Sequence, residues 1–147
     1  MKIYNVEIKT MSEAGDIKNG FVEFKGSKIT KVGDYIPDNI SEEDINGNGG
    51  LLIPGFIDAH THLGIIENGI DFEGDDCNEA TDPFTPQLRA LDAVNPLDRC
   101  FDEAVSRGIT CAVISPGSAN PCGGEVIAVK TLGRRIDDML VKKVGIK

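Results

Sequence analysis

The sequence predicts a mixed α/β chain, with short β-strands first and a strand–helix–strand unit after them. Three observations predict it. Residues 1–9 alternate, with Ile3, Asn5 and Glu7 on one side and Tyr4, Val6 and Ile8 on the other, the period of a half-buried strand. Residues 21–25 and 28–32 are strand-like runs joined only by Gly26-Ser27, a link that suits a tight hairpin. Residues 109–114, Ile-Thr-Cys-Ala-Val-Ile, are almost continuously apolar, as in a parallel strand covered on both faces.

Between these markers each segment has its own cue. Asn19-Gly20 reads as a turn, and Gly33-Asp34 and 37–39 read as loop. Residues 41–44 are acidic and read as exposed. Asn46-Gly47-Asn48-Gly49-Gly50 reads as a glycine-rich turn; no lysine follows it, which removes a phosphate-loop reading. Residues 51–62 form an apolar run that closes on His60-Thr61-His62 and read as one strand. The stretch 63–82 is irregular and rich in carboxylates. Thr85-Pro86 reads as a cap and first helical position for a short helix through Ala93. Asn95-Pro96 repeats the signal for a second helix, with Leu97, Phe101, Ala104 and Val105 on one face and Gly108 as its stop. Strand, helix and strand from 52 to 114 then form one βαβ unit with a right-handed crossover. Residues 115–124 make a small-residue loop, and 125–129 suit a further strand. Ile136, Met139 and Leu140 fall at helical spacing within 134–143, and the chain closes on what reads as the start of a strand.

The candidate chemistry lies at 58–62. On a strand, Asp58, His60 and His62 project from one face. Two imidazoles so placed can hold one divalent metal through their ring nitrogens. They are the only histidines in the chain.

Residues 54–62, Pro-Gly-Phe-Ile-Asp-Ala-His-Thr-His, preceded by a short β-rich segment, resemble the start of the metal-dependent amidohydrolase superfamily. The resemblance implies that His60 and His62 close the first strand of a (β/α)8 barrel and bind a divalent metal, zinc foremost, with Asp58 as a supporting residue beside them. Imidazole ligands also suit iron, nickel and copper. It implies a domain division as well. Residues 1–53 correspond to the N-terminal share of a small β-sandwich, and 54–147 to the N-terminal part of the barrel. The Asn-Pro-x-Asp-x-x-Phe-x-x-Ala pattern at 95–104, with the loop at 115–124, is similar to the imidazolonepropionase and prolidase-like branch.

The implied activity is hydrolysis of an amide or related carbon–nitrogen bond, cyclic or linear, through a metal-activated water. In that family the metal site is completed by a lysine or glutamate on a middle strand, two further histidines and a late aspartate. Here only His60 and His62 match. Lys130 does not correspond to the middle-strand lysine, and Glu67, Asp71 and Cys122 are open candidates for a further ligand. A whole barrel takes ~250 residues, against 147 here. The expectation is therefore an incomplete barrel, inactive alone. The alternative is a non-catalytic, oligomerising β-rich domain that keeps the histidine pair as a relic. A third arrangement has two copies sharing one metal site through an open strand at 109–114.

Composition bounds these readings. Fifteen basic and 24 acidic residues give a net charge of -9, which argues against nucleic acid or an anionic membrane as partner. The partners expected are a small-molecule amide-type substrate and further copies of the chain. Cys77, Cys100, Cys111 and Cys122 show no Cys-x-x-Cys spacing, so reduced thiols in the cytoplasm are expected. The N-terminus lacks the apolar core of a signal peptide, and no run approaches the ~20 apolar residues of a membrane span.

Overall fold

The computed structural model describes residues 1–147. They divide into two compact units, Met1–Pro54 and Gly55–Lys147. The mixed α/β class expected from the sequence is present: a β-rich N-terminal unit, then a unit that opens with a parallel strand pair joined through helix.

The first unit is one mixed sheet of β1 (Lys2–Ile8), β2 (Ile17–Lys25), β3 (Lys28–Gly33) and β4 (Ile45–Leu52), in the order β3-β2-β1-β4. The β2–β3 hairpin turns at Gly26, whose φ of 61° favours glycine. β1 is antiparallel to β2 and parallel to β4. Its buried residues Val6 and Ile8 pack with Val22 to form the core of this sheet.

Glycines read as turns in the sequence are strand residues here. Gly20 lies inside β2 opposite Val6, and a Cβ on it would sit 2.2 Å from the Gly33 carbonyl oxygen. Gly50 faces Val6 from the other neighbour, β4. A Cβ on Gly47 would sit 2.1 Å from Cγ1 of Val6. The segment 46–50 is therefore glycine-rich because a strand passes close over a bulky side chain, with a bulge at Asn48 and Gly49, both at positive φ. Asp44, expected to be exposed, is tucked in: its side chain accepts from the backbone N–H groups of Lys2 (2.6 Å) and Ser41 (2.9 Å). Those two bonds draw its pKa below the ordinary aspartate value, the Ser41 bond contributing most, against an upward push from burial.

The second unit holds β5 (Phe56–Thr61), β6 (Ile109–Ile114), β7 (Glu125–Lys130) and β8 (Leu140–Ile146), in that spatial order. The run expected as a single strand from 51 is thus divided, β4 ending at Leu52 and β5 starting at Phe56. β5 and β6 are parallel, and β7 is antiparallel to both β6 and β8. The 134–143 segment keeps one helical turn, α3 (Ile136–Met139), which delivers the buried Met139; the rest joins the sheet as β8, pairing with β7. β6 is an interior strand, not an open edge, with Ala112 and Ile114 fully buried.

The helices are shorter than their sequence signals. The first, α1, is a single turn (Ala90–Ala93). Thr85 does not cap it, because its N–H and its hydroxyl both donate to the Cys122 carbonyl (2.9 and 3.2 Å). α2 (Arg99–Ser106) starts at Asp98, whose carboxylate accepts from the Cys100 N–H (2.9 Å). Asn95 instead makes a local turn by accepting from the Leu97 N–H (3.0 Å). Gly108, at φ 82°, ends the helical stretch as expected. Phe101 of α2 packs into a core with Ile65, Ala90, Ile114, Ile127, Val129 and Met139, each large apolar side chain contributing about 1.5–3 kcal/mol. No helix is long and apolar enough to cross a membrane.

Candidate metal site

The site grows from the end of β5. Asp58 pairs with Ala112 and Thr61 with Ile114, the ladder being irregular between them. Ser115 then continues the register by donating its N–H to the Thr61 carbonyl (3.1 Å). Ser115 precedes Pro116, which confines it to extended backbone and continues the direction of β6. Its own carbonyl comes to rest 2.7 Å from Nδ1 of His62. A carbonyl only accepts, so Nδ1 carries the hydrogen, and the lone pair of the neutral ring lies on Nε2.

His60 stands beside it. The ring centroids are 5.4 Å apart and the planes meet at 78°, edge to face. His60 is exposed and His62 half-buried. Asp58 accepts from the backbone N–H of His60 (3.1 Å), so its carboxylate steadies the strand leading into His60. Just past the pair the chain turns sharply, with Ile65 and Ile66 both donating N–H to the His62 carbonyl (3.0 and 3.1 Å). Gly64 makes that turn at φ 72°; a Cβ there would sit 2.8 Å from Cε2 of Phe101.

The candidate further ligands go elsewhere. Glu67 accepts from the side-chain amide of Asn95. Asp71 opens a 3-10 turn, Asp71–Gly74, at φ 50°. Cys122 is buried, with its carbonyl taken by Thr85. No cluster of three or more histidine, cysteine, aspartate or glutamate side chains forms in ligand geometry. Of the loop carboxylates, Asp75, Asp76 and Glu79 line a cleft of about 490 Å³ with Asp92 and Arg89. Ile65 and Pro116 belong to its wall, and both adjoin the backbone that holds His62. Ser115 was missed in the sequence; the Ser-Pro step at the end of an apolar strand is the signal that marks it.

Comparison with known proteins places this arrangement. The chain is 37% identical to an amidohydrolase from Thermotoga maritima of known structure, with a TM-score of 0.84 over 96% of this chain and 36% of that one. The chain belongs to the amidohydrolase superfamily. It matches an N-terminal portion of such proteins. It is also 38% identical, over 109 residues, to the amidohydrolase tasK of Hapsidospora irregularis, covering 69% of this chain and 11% of that protein. A 5-methylthioadenosine/S-adenosylhomocysteine deaminase of Clostridium tetani shares 44% identity over 66 residues, 43% of this chain and 15% of that one. The chain thus spans a small fraction of the length of its curated relatives. No family model matches it.

Metal is the cofactor this superfamily implies, and the donor set tests it. His62 is fixed by a carbonyl on one nitrogen and presents the other, the usual arrangement of a metal-binding histidine. His60 offers a second imidazole alongside. Two adjacent imidazoles have the chemistry to serve a divalent ion. Catalytic zinc keeps three protein ligands, and these residues supply two.

Proposed function

We propose that this chain carries the opening metal ligands, His60 and His62, of a zinc-dependent hydrolase that cleaves carbon–nitrogen bonds in small amide-type molecules. The observation that supports it most is the 2.7 Å bond from His62 Nδ1 to the Ser115 carbonyl, which leaves Nε2 for metal. When bound, such an ion supplies a Lewis acid and a water whose pKa falls to ~7. The chain's own residues do the rest of the positioning. Ser115 fixes the His62 ring, Asp58 steadies the backbone leading into His60, and a cleft lies against Ile65 and Pro116, which adjoin the backbone that holds His62. The deaminase and amidohydrolase names of its relatives agree with carbon–nitrogen cleavage. Four free cysteines suit a reducing, cytoplasmic setting.

A second reading, an oligomerising β-rich unit that keeps the pair as a relic, draws on β5. That strand is an edge of its sheet, and Phe56 and Ile57 on it are 57% and 68% exposed. Zinc titration followed by the imidazole NMR signals separates the two. The hydrolase reading requires His60 and His62 to respond together to one equivalent, and His60→Ala to weaken binding at least 10-fold. Rings that ignore zinc in a self-associated chain would refute it in favour of the second.

A further inference from the structure

Lys147 has an arrangement unlike the other lysines. It is half-buried and makes no ion pair; its side chain is spent on backbone and hydroxyl oxygen instead. Nζ donates to the Pro116 carbonyl at 2.8 Å and approaches Oγ of Ser115 at 3.5 Å. The Ser115 hydroxyl donates to the same Pro116 carbonyl (3.1 Å). The backbone of Lys147 reaches the opposite end of the loop. Its carbonyl accepts from the Gly123 N–H (2.8 Å), and its N–H donates to the Gly124 carbonyl (2.9 Å). One residue therefore fastens both ends of the 115–124 loop, and one of those ends carries the carbonyl that holds His62.

We propose that Lys147 is a positioning residue for the histidine pair. By pinning the Ser115-Pro116 step, it keeps the Ser115 carbonyl on Nδ1 of His62 and so holds the ring in the tautomer with Nε2 open. The inference rests on the metal-ligand role proposed for His62. The physical basis is that a carbonyl fixes a histidine tautomer only while the backbone on either side of it is fixed. Ser115 is tied to Thr61 through its N–H; the next peptide, Pro116–Gly117, is held at its carbonyl by Lys147 and the Ser115 hydroxyl and at its N–H by the Cys77 carbonyl (2.7 Å). A half-buried ammonium placed on carbonyl oxygen is a strong, charge-assisted donor, and its removal loosens the Pro116 carbonyl, one peptide beyond the Ser115 carbonyl, leaving the Cys77 bond and the Ser115 hydroxyl to hold the step.

The test is the His62 ring in long-range proton–nitrogen NMR spectra, recorded without metal above the ordinary histidine pKa, ~6.5. The wild type is expected to hold the Nδ1–H tautomer. Lys147→Met keeps the aliphatic stem and removes the donors. It is expected to shift the ring toward the Nε2–H form that an unconstrained imidazole favours, and to weaken zinc about 10-fold. Lys147→Arg is expected to restore the wild-type tautomer. A purely structural role would leave the tautomer unchanged in a folded variant, and that result would overturn the proposal. So would a folded wild type in the Nε2–H form, a measurement that needs no variant. If the tautomer shifts as described while neither protein takes up zinc, the positioning stands and the proposed function fails.

Discussion

Replacing Asp98 by alanine removes two bonds from one carboxylate. Oδ1 caps α2 through the Cys100 N–H (2.9 Å), and Oδ2 accepts from the Asn68 N–H (2.6 Å), tying the loop after the histidine pair to the helix. Loss of a cap costs about 1 kcal/mol. Leaving the Asn68 amide without its acceptor costs a further 1–3 kcal/mol, roughly, when the group is buried. Asn68 is exposed, so water takes over part of that bond, and the sum is about 2 kcal/mol. D98N keeps one acceptor oxygen but turns the other into an NH2 facing an N–H, so it loses one of the two bonds together with the charge and costs nearly as much as D98A. Burial raises the Asp98 pKa, but the Cys100 and Asn68 N–H bonds outweigh it and set the value below the ordinary one. The stabilisation is therefore complete above the unfolded pKa, ~3.9, and is lost as pH falls through the lower native value. The assay is urea unfolding by circular dichroism, with amide exchange at Phe101 reporting on α2 itself, repeated from pH 7 down to pH 2. D98A within 0.5 kcal/mol of wild type at pH 7, or a gap that persists undiminished at pH 2, would refute the account.

Two further perturbations read other parts of the same neighbourhood. Gly64→Ala forces a side chain onto a residue at φ 72°, with the new Cβ 2.8 Å from the Phe101 ring and 2.9 Å from the Asn95 carbonyl oxygen. It should destabilise the second unit by about 2–4 kcal/mol in urea titrations, and a neutral result would mean the turn has another accessible geometry. The Cys100 thiol is pushed up to about 12, first by burial and then by its bond to Asp98. At pH 8 only about one molecule in ten thousand then carries the thiolate. Iodoacetamide should label Cys100 slowly in the native chain and rapidly in urea; equal rates would contradict the burial.

Strand β6 was legible because Ile109 to Ile114 is apolar at nearly every position, and burial on two faces leaves few other patterns. The histidine pair was legible for a different reason, the match of 54–62 to a known motif. What escaped was set by partners distant in sequence. Gly20 and Gly47 look like turn residues until Val6 is laid between neighbouring strands. Thr85 looks like a cap until the Cys122 carbonyl claims its hydroxyl. The 134–143 segment has helical spacing, yet its β-branched end pairs with β7, so tertiary pairing overrides local preference. At the site, the sequence named the rings but not what orients them. Ser115 and Lys147 carry no motif, and their roles exist only once the parallel pair is formed.

The bond between His62 and Ser115 spans 53 positions of chain. Local hairpins such as β2–β3 close over two residues, whereas this contact waits for the long crossover between β5 and β6. Closing a span of that length costs roughly 3 kcal/mol more loop entropy than a two-residue link in the simple logarithmic scaling, so the imidazole acquires its orientation late in folding. The His62 ring is thereby a built-in clock for refolding. Its switch from free to fixed tautomer marks the moment when the crossover docks, with no label added to the protein.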